Sequence, residues 1–200
     1  MASTKNQPLF IPVIYGSVRT ARRGIRAARF WVNEVEKRGH ESVLVDPKEK
    51  KFALPLLDKM YKEYPKGKAP ENMERIGKIM RRADAYLIVS AEYNHSIPPA
   101  LSNTLDHYLE EYFFKPAGII TYSVGSFGGV RAAVHLRAML GEMGMLTISN
   151  MFAIPKVQEA FDEDGKPSDA KYFDRSKNFL EELEWVARAL KAAREKGTPY

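Results

Sequence analysis

The sequence of 200 residues contains no cysteine, which removes disulfide staples, thiol nucleophiles and thiolate metal sites from consideration. The same absence agrees with a reducing compartment. No apolar run approaches the roughly 18 residues of a membrane span, so no membrane partner is expected. The first residues, MASTKNQP, lack the apolar core of a secretory signal, and a cytoplasmic location is the expectation. Histidine is scarce: His40, His95, His107 and His135 are all there are, and they show no metal-ligand spacing. A basic stripe interleaved with aromatics is also missing, so a nucleic-acid partner is not expected. Neither an internal repeat nor a low-complexity tract interrupts the chain, and residues 1–200 read as one domain. Its core covers about residues 8–150, followed by a C-terminal extension and helix over 151–200.

What is present is an excess of positive charge, 31 basic residues against 25 acidic, for a net charge of +6. That balance suits an anionic ligand such as a phosphate ester, although most of these charges alternate in sign as a solvated helix surface does. Apolar runs of strand length recur at 9–15, 42–45, 85–90, 117–123 and 145–149. Their near-continuous hydrophobicity fits strands buried on both faces. Helical periods lie between them. Ala28, Trp31 and Val35 share one face, as do Leu101, Leu105 and Tyr108 after a Pro98-Pro99 pair suited to a first turn. Val130, Ala133, Arg137 and Leu140 form another such face, and Phe179, Leu183, Val186 and Leu190 mark the last helix. The alternation predicts an α/β fold, a doubly wound five-stranded parallel sheet in the order 2-1-3-4-5. Two segments stand outside the rhythm, 46–70 and 156–172; each is a lid, a partner contact or a plain surface excursion.

In such a sheet, ligands bind beyond the carboxyl ends of the strands, where the strand order reverses. The unusual residues follow the first, third and fourth strands: GSVRTARRG (16–24), AEYNHSIPP (91–99) and SVGSFGGVRA (123–132). These strands would be neighbours at the centre, so the three loops would meet over one crevice. The first loop opens a helix, whose free N–H groups and positive dipole end favour a phosphate. Ser17 adds a hydroxyl donor, and Arg19 and Arg22 offer charge-assisted hydrogen bonds. The loop lacks the Gly-Lys-Ser/Thr ending of a Walker A sequence, and it is no G-x-G-x-x-G. Asp46 ends the second strand as a ribose-binding acid would, but about 30 residues after Gly16 rather than roughly 20. A terminal monophosphate fits best.

Taken together, GSVRTARRG (16–24), EYNHSIPPALSNTLDH (92–107) and SVGSFGGVRAA (123–133) resemble the NAD(P)H-dependent FMN reductases of flavodoxin-like fold. That group includes quinone, azo-dye and chromate reductases. The resemblance covers about residues 8–150, and the tail VQEAFDEDGKP is similar to one branch of the family. It implies that Ser17 and Arg19 hold the FMN phosphate, with the N–H groups of Gly24 and Ile25 opening the helix. The common form of this loop carries serine at position 22 and asparagine at 24, where this chain has Arg22 and Gly24. Glu92, Tyr93, Asn94, His95 and Ser96 match the loop along the flavin ring and ribityl chain, with Ala91 in place of the usual preceding proline. Ser123, Gly125, Gly128 and Gly129 match the loop at the pyrimidine end of the ring. His95 meets the flavin either through its backbone or as a proton donor to a bound quinone.

The implied activity is an FMN-dependent NAD(P)H oxidoreductase working by ping-pong: NADPH or NADH reduces the flavin and leaves, and a quinone, free flavin or similar small acceptor takes the electrons. Flavin carries that chemistry itself, which accounts for the absence of a triad or paired carboxylates. Arg131 and the lysines of 48–51 are either contacts to a 2′-phosphate or solvated surface. Two other readings are an electron-carrier flavoprotein of the flavodoxin kind and a flavin-sensing interaction protein. The carrier reading expects a hydroxyl-rich first loop, which the basic GSVRTARRG is not. The resemblance also points to a homodimer or homotetramer. Leu105, Tyr108, Leu109, Tyr112, Phe113 and Phe114 offer apolar surface for an interface, or else complete the monomer core beneath segment 46–70.

Overall fold

The computed structural model describes residues 7–200. Five strands, β1 (Val13–Tyr15), β2 (Leu44–Val45), β3 (Tyr86–Ala91), β4 (Pro116–Tyr122) and β5 (Leu146–Ile154), form one sheet in the order β2-β1-β3-β4-β5. Every pairing between them is parallel. The sheet order is the one the sequence predicts. β3 and β4 are buried at every position, because helices cover both faces of the sheet.

The period of two along the strands divides the interior into two cores. Val13, Tyr15, Leu87, Val89 and Ile120 face α1 (Ile25–Lys37) and α6 (Lys171–Arg194). There Trp31 packs edge-on against Phe152 at 4.8 Å and in a tilted arrangement against Phe179 at 5.0 Å. Ile14, Ile88 and Ile119 face the other way, toward α2 (Glu71–Arg82), α3 (Pro99–Asp106) and α4 (Val130–Glu142). A four-residue helix, α5 (Val157–Ala160), follows β5.

The structure corrects several boundaries. The run 9–15 supplies only three ladder residues, since Pro12 has no N–H to donate, although Phe10 still bridges to Glu41. β5 runs to Ile154 rather than ending at 149, and Met151 to Ile154 pair with Ile119 to Tyr122. A register shift between Ala117 and Ile119 and the polar Ser149-Asn150 disguise this edge strand. α2 is an element the sequence reading does not single out. On α4 the buried face is Ala132, Ala133, Leu136 and Leu140, which leaves Val130 exposed. Arg137 turns instead to the edge strand, donating to Thr147 Oγ1 at 2.9 Å and to the Ser149 carbonyl at 3.2 Å.

The aromatic run after α3 mostly completes the monomer core. Leu105, Tyr108 and Tyr112 are fully buried, with the Tyr108 hydroxyl donating to the Met73 carbonyl at 2.9 Å and the Tyr112 hydroxyl to the Leu105 carbonyl at 3.2 Å. Leu109, Phe113 and Phe114 are half-buried. Segment 46–70 covers Tyr108, with Tyr61 tilted against its ring at 5.4 Å and Asn103 of α3 holding the backbone at Pro55 and Leu57, whereas Phe113 and Phe114 pack on Tyr200 at 5.4 and 4.9 Å. Segment 156–172 packs on the outer face of α1, where Arg26 and Arg29 donate to the carbonyls of Phe161 and Glu163.

Candidate functional site

Since β1, β3 and β4 are adjacent, the loops that follow them converge at the carboxyl edge of the sheet. The first and second touch through Ser17 Oγ and the Tyr93 hydroxyl, 3.1 Å apart, and the Arg19 guanidinium lies 5.9 Å from the Tyr93 ring centre. The second and third are joined by Glu92, whose carboxylate accepts the N–H groups of Arg131 at 3.0 Å and Ala132 at 3.2 Å. Those N–H groups belong to the first turn of α4, so Glu92 caps that helix from a distant loop. The cap is needed because Gly129, at φ +80°, has no side chain to supply one.

In the first loop Ser17 is buried while Val18, Arg19 and Thr20 are exposed. Among the described residues, no protein acceptor serves the N–H groups of Val18, Arg19, Thr20 or Ala21. Consecutive free N–H groups ahead of a helix N-terminus form an anion-binding concavity. Ile25 N–H reaches the Arg22 carbonyl only at 3.5 Å. A cleft of about 330 Å³ opens beside the loop, lined by Thr20, Ala21, Arg22, Arg23, Arg26 and Glu163 among others.

Arg22 departs from its expected place as an anion donor. Its guanidinium is paired on both nitrogens with the Asp46 carboxylate, one contact being Nη2 to Oδ2 at 2.6 Å, and it also donates to the Ser17 carbonyl at 3.0 Å. Asp46 is 3% exposed, so it leaves no room for a ribose either. Burial works against charge on Arg22, but the hydrogen bonds and charge of Asp46 outweigh it and raise the pKa.

Gly24 has a steric reason. A Cβ there would lie inside the ring of Tyr122, closer than real Cβ contacts come. Tyr122 donates to the Tyr15 hydroxyl at 3.0 Å under the loop, and burial pushes Tyr15 up to about 12, so both rings stay neutral near pH 7.

The second loop is a tight reversal. Tyr93 and Ser96 exchange backbone hydrogen bonds at 3.0 and 2.9 Å, while Asn94 and His95 sit at φ +50° and +63°. Two positive φ values at the centre of a turn define the mirror-image type I′ form, uncommon outside glycine except for Asn, Asp and His. The exposed Asn94 and His95 carry N–H groups with no partner in the described chain. In the third loop Gly128 and Gly129 have φ +63° and +80°, and a Cβ on either would press on backbone atoms of Ile154 or Tyr122 at 3.0 Å. Ser123 turns its hydroxyl to the Gly125 carbonyl at 2.9 Å. The ring of Phe127 is 66% exposed, with the Arg131 guanidinium 4.8 Å from its centre.

The family model described as NADPH-dependent FMN reductase matches residues 10–159. The chain belongs to the NADPH-dependent FMN reductase family. FMN is therefore its cofactor and NAD(P)H its co-substrate, and it is an oxidoreductase. An NAD(P)H-dependent FMN reductase of Pseudomonas aeruginosa is 34% identical over 125 residues, which are 60% of this chain and 68% of that protein. A quinone reductase of Escherichia coli is 37% identical over 75 residues, covering 36% of this chain and 40% of that protein. In structure the chain is similar to a flavoenzyme NAD(P)H:(acceptor) oxidoreductase of Paracoccus denitrificans. That likeness has a TM-score of 0.70 at 24% identity and covers 89% of this chain and 97% of the other.

The site of this FMN reductase family member suits the cofactor on its own chemistry: free N–H groups beside Ser17 and Arg19 for a phosphate, and free N–H groups at Asn94 and His95 for a flat hydrogen-bonding edge. Three features escape sequence reading. One is the Arg22–Asp46 pair. Another is Glu92 as a remote helix cap. The third is His135 of α4, whose Nδ1 lies 3.1 Å from Ser96 Oγ. The last has a faint sequence signal, since His135 falls one turn beyond Arg131 on the helix that the third motif opens.

Proposed function

We propose that the protein oxidises NADPH or NADH and passes the electrons to a quinone, a free flavin or a similar small acceptor, in a ping-pong cycle at one site. The observation that carries this reading is the convergence of three loops with unused backbone donors over one sheet edge. FMN, when bound, supplies the two-electron exchange in both halves of the cycle. The chain itself binds, orients and restricts access.

Ser17, Arg19 and the N–H groups of the first loop through Gly24 and Ile25 hold the phosphate. Tyr93, Asn94, His95 and Ser96 run along the ring and ribityl chain, with the N–H groups of the Asn94–His95 turn as donors and Glu92 fixing that loop against α4. Gly125, Gly128 and Gly129, with Ser123, form the wall at the pyrimidine end, where the missing side chains admit a flat ring. The 200 residues act as one FMN-binding domain in the cytoplasm. Two copies associate with the flavin near their boundary, and the exposed apolar residues Phe127, Val130 and Val134 replace the buried aromatics as the candidate contact.

The test is the absorbance spectrum of the purified protein, followed by titration with NADH and NADPH and steady-state oxidation with a quinone. A yellow protein binding about one FMN per chain, bleached by NAD(P)H and recoloured by quinone, is the expected result. A flavin reduced only by a partner protein would indicate an electron carrier, and slow reduction by everything a sensor. Sedimentation at micromolar concentration should show no species near the 22.7 kDa monomer mass; a fully active monomer would remove the subunit boundary from the mechanism.

A further inference from the structure

The Arg22–Asp46 pair has no evident place in a phosphate site. Arg22 stands in the loop that faces the anion, yet its side chain is only 15% exposed and directed away, onto a carboxylate at the end of β2. Asp46 is in turn fixed by accepting the Lys48 N–H at 3.0 Å, and the guanidinium lies 5.4 Å from the Tyr15 ring centre. For Arg22 to swing out to a phosphate, it would have to leave a nearly buried carboxylate unpaired, which is strongly unfavourable.

The informative contact is the one to Ser17. Arg22 Nη1 donates to the Ser17 carbonyl at 3.0 Å. In a trans peptide the C=O and the following N–H point in opposite directions. With the Ser17 oxygen held inward, the Val18 N–H faces the opposite side of the loop, and it has no partner in the described chain. Were the peptide to turn over, its oxygen would face the anion and repel it.

We infer that Arg22 is a positioning residue for the FMN phosphate, which acts through Asp46 and the Ser17 carbonyl to keep the Val18 N–H turned toward the anion. The inference rests on the assignment of the phosphate to this loop. It accounts for an arginine at position 22 without making it a ligand, and it gives Asp46 a purpose other than binding ribose. The exposed arginines of the loop are then Arg19 and Arg23.

The experiment compares the full-length protein with R22Q, D46N and the double variant. Each is stripped of flavin and titrated with FMN and with riboflavin by flavin fluorescence, and melted without flavin. R22Q should weaken FMN about 10- to 100-fold, the range of a lost charge-assisted hydrogen bond, and leave riboflavin nearly unchanged. D46N should weaken FMN in the same way, and the double variant should be no worse than either single change, because all three break one unit. Inorganic phosphate supplies a measurement independent of D46N: as a competitor of FMN, its inhibition constant should rise in R22Q by the factor FMN loses.

If D46N keeps or gains FMN affinity while R22Q loses it, Arg22 is a direct ligand and the inference fails. Equal losses for FMN and riboflavin, or an unchanged phosphate constant, would reduce the pair to general scaffolding. Should the parent protein itself not prefer FMN over riboflavin, the phosphate assignment falls, and this inference with it. The other failures leave that assignment standing.

Discussion

Replacing Gly24 by alanine tests the packing beneath the loop that follows β1. The added methyl would occupy the Tyr122 ring, which is 6% exposed and hydrogen-bonded to Tyr15. Carbon atoms attract at about 3.5–4.0 Å, so ring or helix must give way by more than about 1 Å. The ring is walled in by the first core, and therefore the start of α1 has to lift. Overpacking of this kind costs about 1–3 kcal/mol, and for a chain of this size that lowers Tm by roughly 2–12 °C. Lifting α1 also separates the loop's N–H groups from Ser17, so FMN affinity should fall together with Tm. The assay is thermal melting of the flavin-free protein alongside fluorescence titration with FMN. In a Y122L background the same alanine should cost little, since the obstructing ring is gone. An unchanged Tm and FMN affinity for the single variant, or an equal cost in both backgrounds, would refute the steric account of Gly24.

Arg19→Ala should weaken FMN about 10- to 100-fold with Tm unchanged, because the exposed side chain touches solvent and one ring rather than the core; equal affinity would remove Arg19 from the anchor. Glu92→Ala should cost about 1–2 kcal/mol in a denaturant melt by uncapping α4, with Glu92→Gln intermediate because it retains an acceptor and loses only the charge. Acid should act through Glu184: burial alone would raise its pKa, but the His40 ring 3.3 Å away and the hydrogen-bonded Arg38 guanidinium outweigh burial and hold it at about 2, below the ordinary 4.5. The unfolded chain then takes up the proton first, so this stabilisation is present above about pH 4.5 and is lost as pH falls toward 2. Urea midpoints across that window should fall less steeply in Glu184→Gln than in the parent.

Strand order and the convergence of the three loops are legible in the sequence. Buried parallel strands must be apolar throughout, and a backbone that approaches a ligand needs Gly, Ser or Asn where ordinary strands and helices do not. These are local requirements, and each leaves its mark on contiguous residues. What the sequence could not show depends on partners far apart in the chain. Arg22 reads as a ligand until Asp46, 24 positions away, is brought against it. Glu92 reads as part of a flavin loop until the first turn of α4, about 40 residues on, meets its carboxylate. The aromatics after α3 read as an interface until Tyr61 of segment 46–70 covers Tyr108 and Tyr200 covers Phe113 and Phe114. In each case residue type specified a charge or an apolar surface. Only tertiary packing decided what neutralised or covered it, because burial and pairing are properties of two surfaces and the sequence displays one at a time.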